Sequence, residues 1–204
     1  MSPGETLPPQ ARSAVRSGIR RKYRSVARSA SGMFSYPTGR QGALLLGYDR
    51  DLLSSLPDEV LESFCGVGNP LAIAPVHPGA AILDIGCGAG FDLLVAARLS
   101  GPGGVVRGVD LTPEMVERAR ANILLAGENN IEVRETANDL LPFADDIFDL
   151  VISNGVINLS PDKPRLFAEI FRVLKTGGRL QFADIVLEKE LPRHLDRSVE
   201  SWSQ

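Results

Sequence analysis

The chain has 204 residues, 44% of them hydrophobic, and a formal net charge of −3. This is enough apolar material for the core of one domain, and the charge balance requires neither nucleic acid nor an anionic membrane as partner. No apolar run reaches the roughly 20 residues of a bilayer-spanning helix, and the N-terminus lacks the continuous apolar stretch of a secretory signal. The cysteines Cys65 and Cys87 make no disulfide framework, which suits a cytoplasmic protein, and His77 and His194 lie too far apart to suggest a metal site.

Pro3, Pro8 and Pro9 predict disorder over the first ten residues. Residues 11–30 suit a helix, with Val15, Ile19, Tyr23 and Val26 at helical spacing and Arg12, Arg16, Arg20, Arg24 and Arg28 along another face. The reading is an amphipathic helix covering part of the domain; a basic arm for nucleic acid and a transit peptide are the alternatives. Residues 31–47, rich in Gly, Ser and aromatic side chains, read as a loop or lid, so 1–47 forms a basic helix with a flexible loop and 48–204 a separate α/β domain.

Within that domain, 52–64 reads as a short helix running into Cys65-Gly66-Val67-Gly68, and Asn69-Pro70 starts another, with Asn as N-cap. Strands are expected at 81–85, 105–109, 131–134, 148–153 and 179–186. Helices 91–99, 113–125 and 163–173 alternate with them, the last closed by a glycine C-cap at Gly177-Gly178. A polar helix is expected at 192–202. Short apolar strands alternating with amphipathic helices imply a parallel sheet covered on both faces.

The sharpest signal is Leu83-Asp84-Ile85-Gly86-Cys87-Gly88-Ala89-Gly90, a strand that runs into a glycine turn and then a helix. Ligands of open α/β sheets bind beyond the carboxyl ends of the strands, and glycines let them approach the backbone closely. Phe91 stands where the dinucleotide pattern G-x-G-x-x-G has its last glycine, so no pyrophosphate is implied. Asp84 would repel phosphate but suits the cationic amino group of S-adenosylmethionine. Asp110, ending the next strand, can accept from both ribose hydroxyls. Leu111 and Met115 either flank an adenine ring or are plain core. Asn138 and Asp139 either meet the adenine edge or are ordinary turn residues, and Asn154, ending the fourth strand, can face the methionine part. A nicotinamide dehydrogenase is the lesser alternative.

From about Tyr48 onward the chain resembles the class I S-adenosylmethionine-dependent methyltransferases, and within them the arsenite methyltransferase-like group. The likeness rests on Gly68-Asn69-Pro70, residues 84–92, residues 110–115 and the stretch SNGVINLSPDK from Ser153 to Lys163. It implies a Rossmann-like α/β three-layer sandwich with sheet order 3-2-1-4-5, here cut short at the C-terminus so that strands 6 and 7 are missing. It implies S-adenosylmethionine held by Asp84, Ile85, Gly86, Gly88, Gly90, Asp92, Asp110, Leu111, Met115 and Asn154, with Asn138 or Asp139 replacing an Asp that many members carry where Ala137 stands.

Arsenite methyltransferases hold As(III) with cysteine thiolates, soft ligands for a soft centre. Val67 and Gly155 occupy two of those positions here, leaving Cys65 as either a single thiol ligand or a buried structural residue. Cys65, Asn69 and Asn158 are candidate acceptor-pocket residues, with Tyr23 and Tyr36 beside them, and no general base is evident. The expected function is methyl transfer to a small-molecule acceptor, the alternative a catalytically impaired cofactor-binding or scaffold protein. A bare fifth strand further predicts either pairing of that edge in a homodimer or a longer gene product of which this chain is a part.

Overall fold

The computed structural model describes residues 7–136 and 140–186. Its sheet runs β3-β2-β1-β4-β5, every neighbouring pair parallel. The strands are β1 (Ala81–Ile85), β2 (Val105–Asp110), β3 (Ile131–Glu135), β4 (Phe148–Asn154) and β5 (Leu174–Ala183). Around them lie α1 (Pro9–Val26), α2 (Gly39–Leu45), α3 (Arg50–Ser54), α4 (Asp58–Glu62), α5 (Phe91–Ser100), α6 (Pro113–Ala126) and α7 (Lys163–Val173), with 3-10 turns at Pro70–Ala72 and Ile157–Leu159. The expected order of strands and the alternation of strand and helix are both present. No helix of the described residues is long and apolar enough to cross a membrane.

The core is divided by the sheet because side chains alternate across a strand. Ile82, Val106, Leu150 and Ile152 face one side, with Leu93 and Leu94 of α5 and Leu53 and Phe64. Leu83, Val109 and Val151 face the other, with Leu166, Ile170 and Val173 of α7, and Phe148 joins them ahead of an irregularity in β4. Residues 91–97 of α5 are all buried, as expected of a helix apolar on every side.

Four expectations are corrected. The 52–64 helix is broken into α3 and α4 at Pro57, whose ring and missing N–H cannot sit in a helix interior. Asn69-Pro70 opens only a 3-10 turn, although the Asn69 side chain does cap it by accepting from the Leu71 amide. The 31–47 segment contains α2, held through the Gly39 amide donating to the Phe64 carbonyl at 2.7 Å. At Gly177-Gly178 there is no helix C-cap, because α7 passes straight into β5 at Leu174. The carbonyls of Arg172 and Val173 instead accept from the amides of Asp146 and Ile147, and Leu174 pairs with Phe148 ahead of a register shift to Arg179. Residues 1–6, 137–139 and 187–204, including the expected polar helix, lie outside the described residues.

The topology fixes where a ligand can sit. β1 lies between β2 and β4, with Ile85 in register with Val109 and with Ser153. The chain order reverses between β1 and β4, and the loops leaving these strands part there to open a crevice. Ile152, fully buried at the centre of β4, tests the core: Ile152→Ala should cost ~2–5 kcal/mol in a urea titration, with the denaturant slope unchanged.

Candidate functional site

A cavity opens at that crevice, lined by the ends of β1, β2 and β4, the glycine turn, the 63–66 segment and one ridge of α1. The turn needs its glycines. Gly86 has φ +72°, and a Cβ there would lie 2.4 Å from a methyl of Val156. Gly90, φ +87°, is the N-cap of α5. Gly88 lies under open space, with nothing within 4 Å of where its Cβ would be.

Four amides of the turn are already used. Those of Gly86 and Cys87 donate to the Val109 carbonyl, that of Gly90 to the Cys87 carbonyl, and that of Gly88 to Asp110 Oδ2 at 2.9 Å. Asp110 Oδ1 accepts from the Thr112 amide at 2.8 Å. Asp110 therefore pins the turn to the end of β2 while each oxygen keeps a lone pair for a hydroxyl. A pyrophosphate would meet several carboxylates here.

Those carboxylates are Asp84, Asp92 and Asp110, all on the cavity wall and all 9% exposed or less. Burial pushes each of them up from the usual carboxylate range. For Asp92 the rise is opposed by the Tyr48 hydroxyl at 2.5 Å and the Asn154 amide at 3.0 Å. For Asp110 it is opposed by the backbone amides, those of Thr112 and Gly88 foremost. Asp84 is raised further by Asp92 and Asp110, and no described residue donates a hydrogen bond to it. A buried, donorless carboxylate beside a glycine turn with open space above fits a ligand that brings a cation and hydroxyls.

On the other side of the cavity, Asn154 ties the 65–68 segment to the sheet. Its Oδ1 accepts from the amides of Val67 and Gly68, and its Nδ2 donates to the Gly68 carbonyl and to Asp92. The fit is close: a Cβ on Gly66 would lie 2.3 Å from Asn154 Nδ2, and one on Gly155 would lie 3.4 Å from the methyls of Val67. Positions 67 and 155 are therefore neighbours in space. Cys65 lines the cavity, its carbonyl accepting from the Tyr36 hydroxyl, and burial followed by Asp110 and Asp92 pushes its thiol up to about 12. Cys87 also lines it, with its sulfur over Gly108.

The helix α1 lies across this cavity. Arg16, Ile19 and Tyr23 line it, while Arg12 pairs with Asp162, Arg20 with Glu135 and the Leu111 carbonyl, and Arg24 with Glu114. These arginines of the basic face thus meet acids of the α/β body.

Of the residues singled out from sequence, Asp84, Ile85, Gly86, Gly88, Asp92, Asp110, Leu111 and Asn154 meet on the cavity wall, with Cys65, Tyr23 and Tyr36. Gly90 lies behind the turn against Ala119, and Met115 packs with Val26, Ala30 and Ala89. Asn69 caps its turn and donates to the Gly47 carbonyl, and the Asn158 amide donates to Asp184; neither side chain is on the wall. Asn138 and Asp139 lie outside the described residues. The sequence reading missed Tyr48 and the Arg16–Ile19 ridge as site residues; the arginine spacing of α1 was the one signal that this helix had a body to lie on.

The methyltransferase-domain family matches residues 76–204. An arsenite methyltransferase of Halobacterium salinarum is 44% identical over 161 residues, which are 79% of this chain and 41% of that protein. The human arsenite methyltransferase is 33% identical over 165 residues, 76% of this chain and 43% of its own length. Among solved structures, an arsenic(III) S-adenosylmethionine methyltransferase from Chlamydomonas reinhardtii superposes with a TM-score of 0.65 at 41% identity, over 72% of this chain and 51% of that one. A methyltransferase from Aquifex aeolicus shares the fold at 23% identity, TM-score 0.55, over 72% and 74% of the two chains. The chain thus spans less than half the length of these two curated relatives.

The raised Asp84 carries a stability prediction. Its folded-state value lies above its unfolded one, so the folded chain binds more protons between the two, and stability falls as pH rises through that window. Asp84→Asn should therefore raise the ligand-free melting midpoint by a few degrees at alkaline pH, with the gain fading as pH falls below the window. Equal midpoints for the two proteins at every pH would contradict it.

Proposed function

Because the chain belongs to the methyltransferase-domain family, we propose that it is a class I S-adenosylmethionine-dependent methyltransferase acting on a small-molecule acceptor. The observation that carries this is the cavity's acid-rich, donorless character around Asp84. The cofactor supplies an electrophilic methyl on a sulfonium whose leaving group is a neutral thioether, which needs no acid. Asp84 would hold the α-ammonium and Asp110 the ribose hydroxyls, with Leu111 against the base. Asn154 holds the 65–68 segment in place, and α1 covers the opening and excludes water. The protein's contribution is placement, worth up to ~7–11 kcal/mol when the reacting atoms are fully aligned.

The acceptor in this reading is a small molecule with a lone pair of its own. The cavity wall holds no histidine among the described residues, and His77 lies at the opposite end of β1, near Asp149. Burial raises the Tyr23, Tyr36 and Cys65 groups, which keeps them protonated, so none is a ready base. Arsenite is disfavoured as a chelated substrate. The positions where the related group carries thiolates are Val67 and Gly155, adjacent but sulfur-free, and one thiol at Cys65 cannot replace a pair. A cytoplasmic location and a homodimer through the β5 edge belong to the same reading, the first supported by free thiols at Cys65 and Cys87.

Methyl transfer from labelled cofactor, to arsenite with thiol and to a panel of thiols, selenides and activated carbon acids, tests the reading. Transfer is expected to a member of the panel, and poorly to arsenite. Cofactor binding without any transfer would reassign the chain as a cofactor-binding scaffold. Asp110→Ala should weaken S-adenosylhomocysteine binding ~10–150-fold in calorimetry, as expected for loss of ~1.5–3 kcal/mol of charge-assisted hydrogen bonding. An unchanged affinity would remove Asp110 from the site.

A further inference from the structure

Asp84 differs from the other carboxylates of its cavity in having no donor among the described residues. Asp110 accepts backbone amides on both oxygens, and Asp92 accepts the Tyr48 hydroxyl and the Asn154 amide. Asp84, 2% exposed and on the same wall, accepts from no described residue. It faces Asp92 from α5 and Asp110 from β2, the charges that act on it. The other groups around the cavity are Tyr48, Tyr23, Tyr36, Cys65 and Cys87, in each of which burial favours the neutral, protonated form. The basic groups are Arg16 on the wall and Lys22 facing Cys65, and neither is among the charges acting on Asp84. Like charges in one water-poor site do not all ionise together, and the one without donors is the one that keeps a proton.

We propose that Asp84 carries a proton when the cavity holds no cation, and that an ammonium-bearing ligand displaces it, so that cofactor binding releases a proton to solvent. The balance is simple. The O–H bond of the carboxylic acid breaks, its proton passes to the buffer, and the carboxylate accepts a hydrogen bond from an ammonium that keeps all its own protons. The ammonium takes the place of the lost proton beside Asp84, so the cavity never holds three bare carboxylates. Affinity for the amino-acid nucleoside then rises with pH through the window in which Asp84 titrates. This inference rests on the reading of the cavity as the S-adenosylmethionine site.

Calorimetric titration of the full chain with S-adenosylhomocysteine tests it, run at about pH 6.5, where the ligand amine stays protonated, in phosphate and in imidazole, whose ionisation heats differ. The dependence of heat on buffer should give a net release of protons on binding, shrinking as the pH is raised through the window in which Asp84 titrates. 5′-Methylthioadenosine, which keeps the nucleoside and thioether but lacks the ammonium, should bind with no release, and Asp84→Asn should bind S-adenosylhomocysteine more weakly with release near zero. Binding of S-adenosylhomocysteine with the same heat in both buffers would overturn the proton exchange while leaving the cofactor site intact. Release of the same size from Asp84→Asn would overturn the assignment to Asp84. No binding by a folded wild-type chain would overturn the cofactor reading and this inference with it.

Discussion

A carboxylate near the end of the central strand, Asp84, is buried on a cavity wall with no donor among the described residues, and much of the site is arranged around that deficit. A buried charge without a donor is costly, so the fold either keeps it neutral or supplies a cation from outside. The parallel sheet makes the position unavoidable. β1 lies between β2 and β4, so its carboxyl end opens into the crevice where the chain order reverses, and the α5 side of the sheet encloses what stands there.

The neighbouring interactions keep this deficit from collapsing. Asp110 holds the glycine turn through the Gly88 amide, which removes a donor that could have turned toward Asp84. Tyr48 and Asn154 are aimed at Asp92 instead, with Tyr48 wedged edge-on between Phe64 and Phe91. Because Asn154 also holds the Val67 and Gly68 amides, the 65–68 wall of the cavity is tied to the same carboxylate network that borders the glycine turn. The two halves of the cavity are thus parts of one hydrogen-bonded unit, which suits a site whose main work is alignment.

Most of the fold was legible in the sequence because its strands are short apolar runs and its helices have clear caps. Asp162 at the head of α7 and Pro113 at the head of α6 mark their starts. What was not legible depended on partners distant in sequence. The α7–β5 junction needs the amides of Asp146 and Ile147 rather than a glycine, and α2 is fastened through Phe64. On the cavity wall, Asp84 and Asp110 were legible as candidates because glycine spacing dictates a ligand loop and an acid dictates its charge. Tyr48 was not, since a tyrosine after a glycine carries no periodic signal and its role appears only once Asp92 and Asn154 are beside it. The face of α1 that lines the cavity could be read as amphipathic, but not as bordering a ligand.

What meets Asp84 decides what this cavity binds. A crystal structure of the chain with S-adenosylhomocysteine bound should show the α-ammonium about 3 Å from an Asp84 oxygen and the ribose hydroxyls on Asp110. A nucleoside bound elsewhere, or bound in this cavity with Asp84 still lacking a donor, would contradict it.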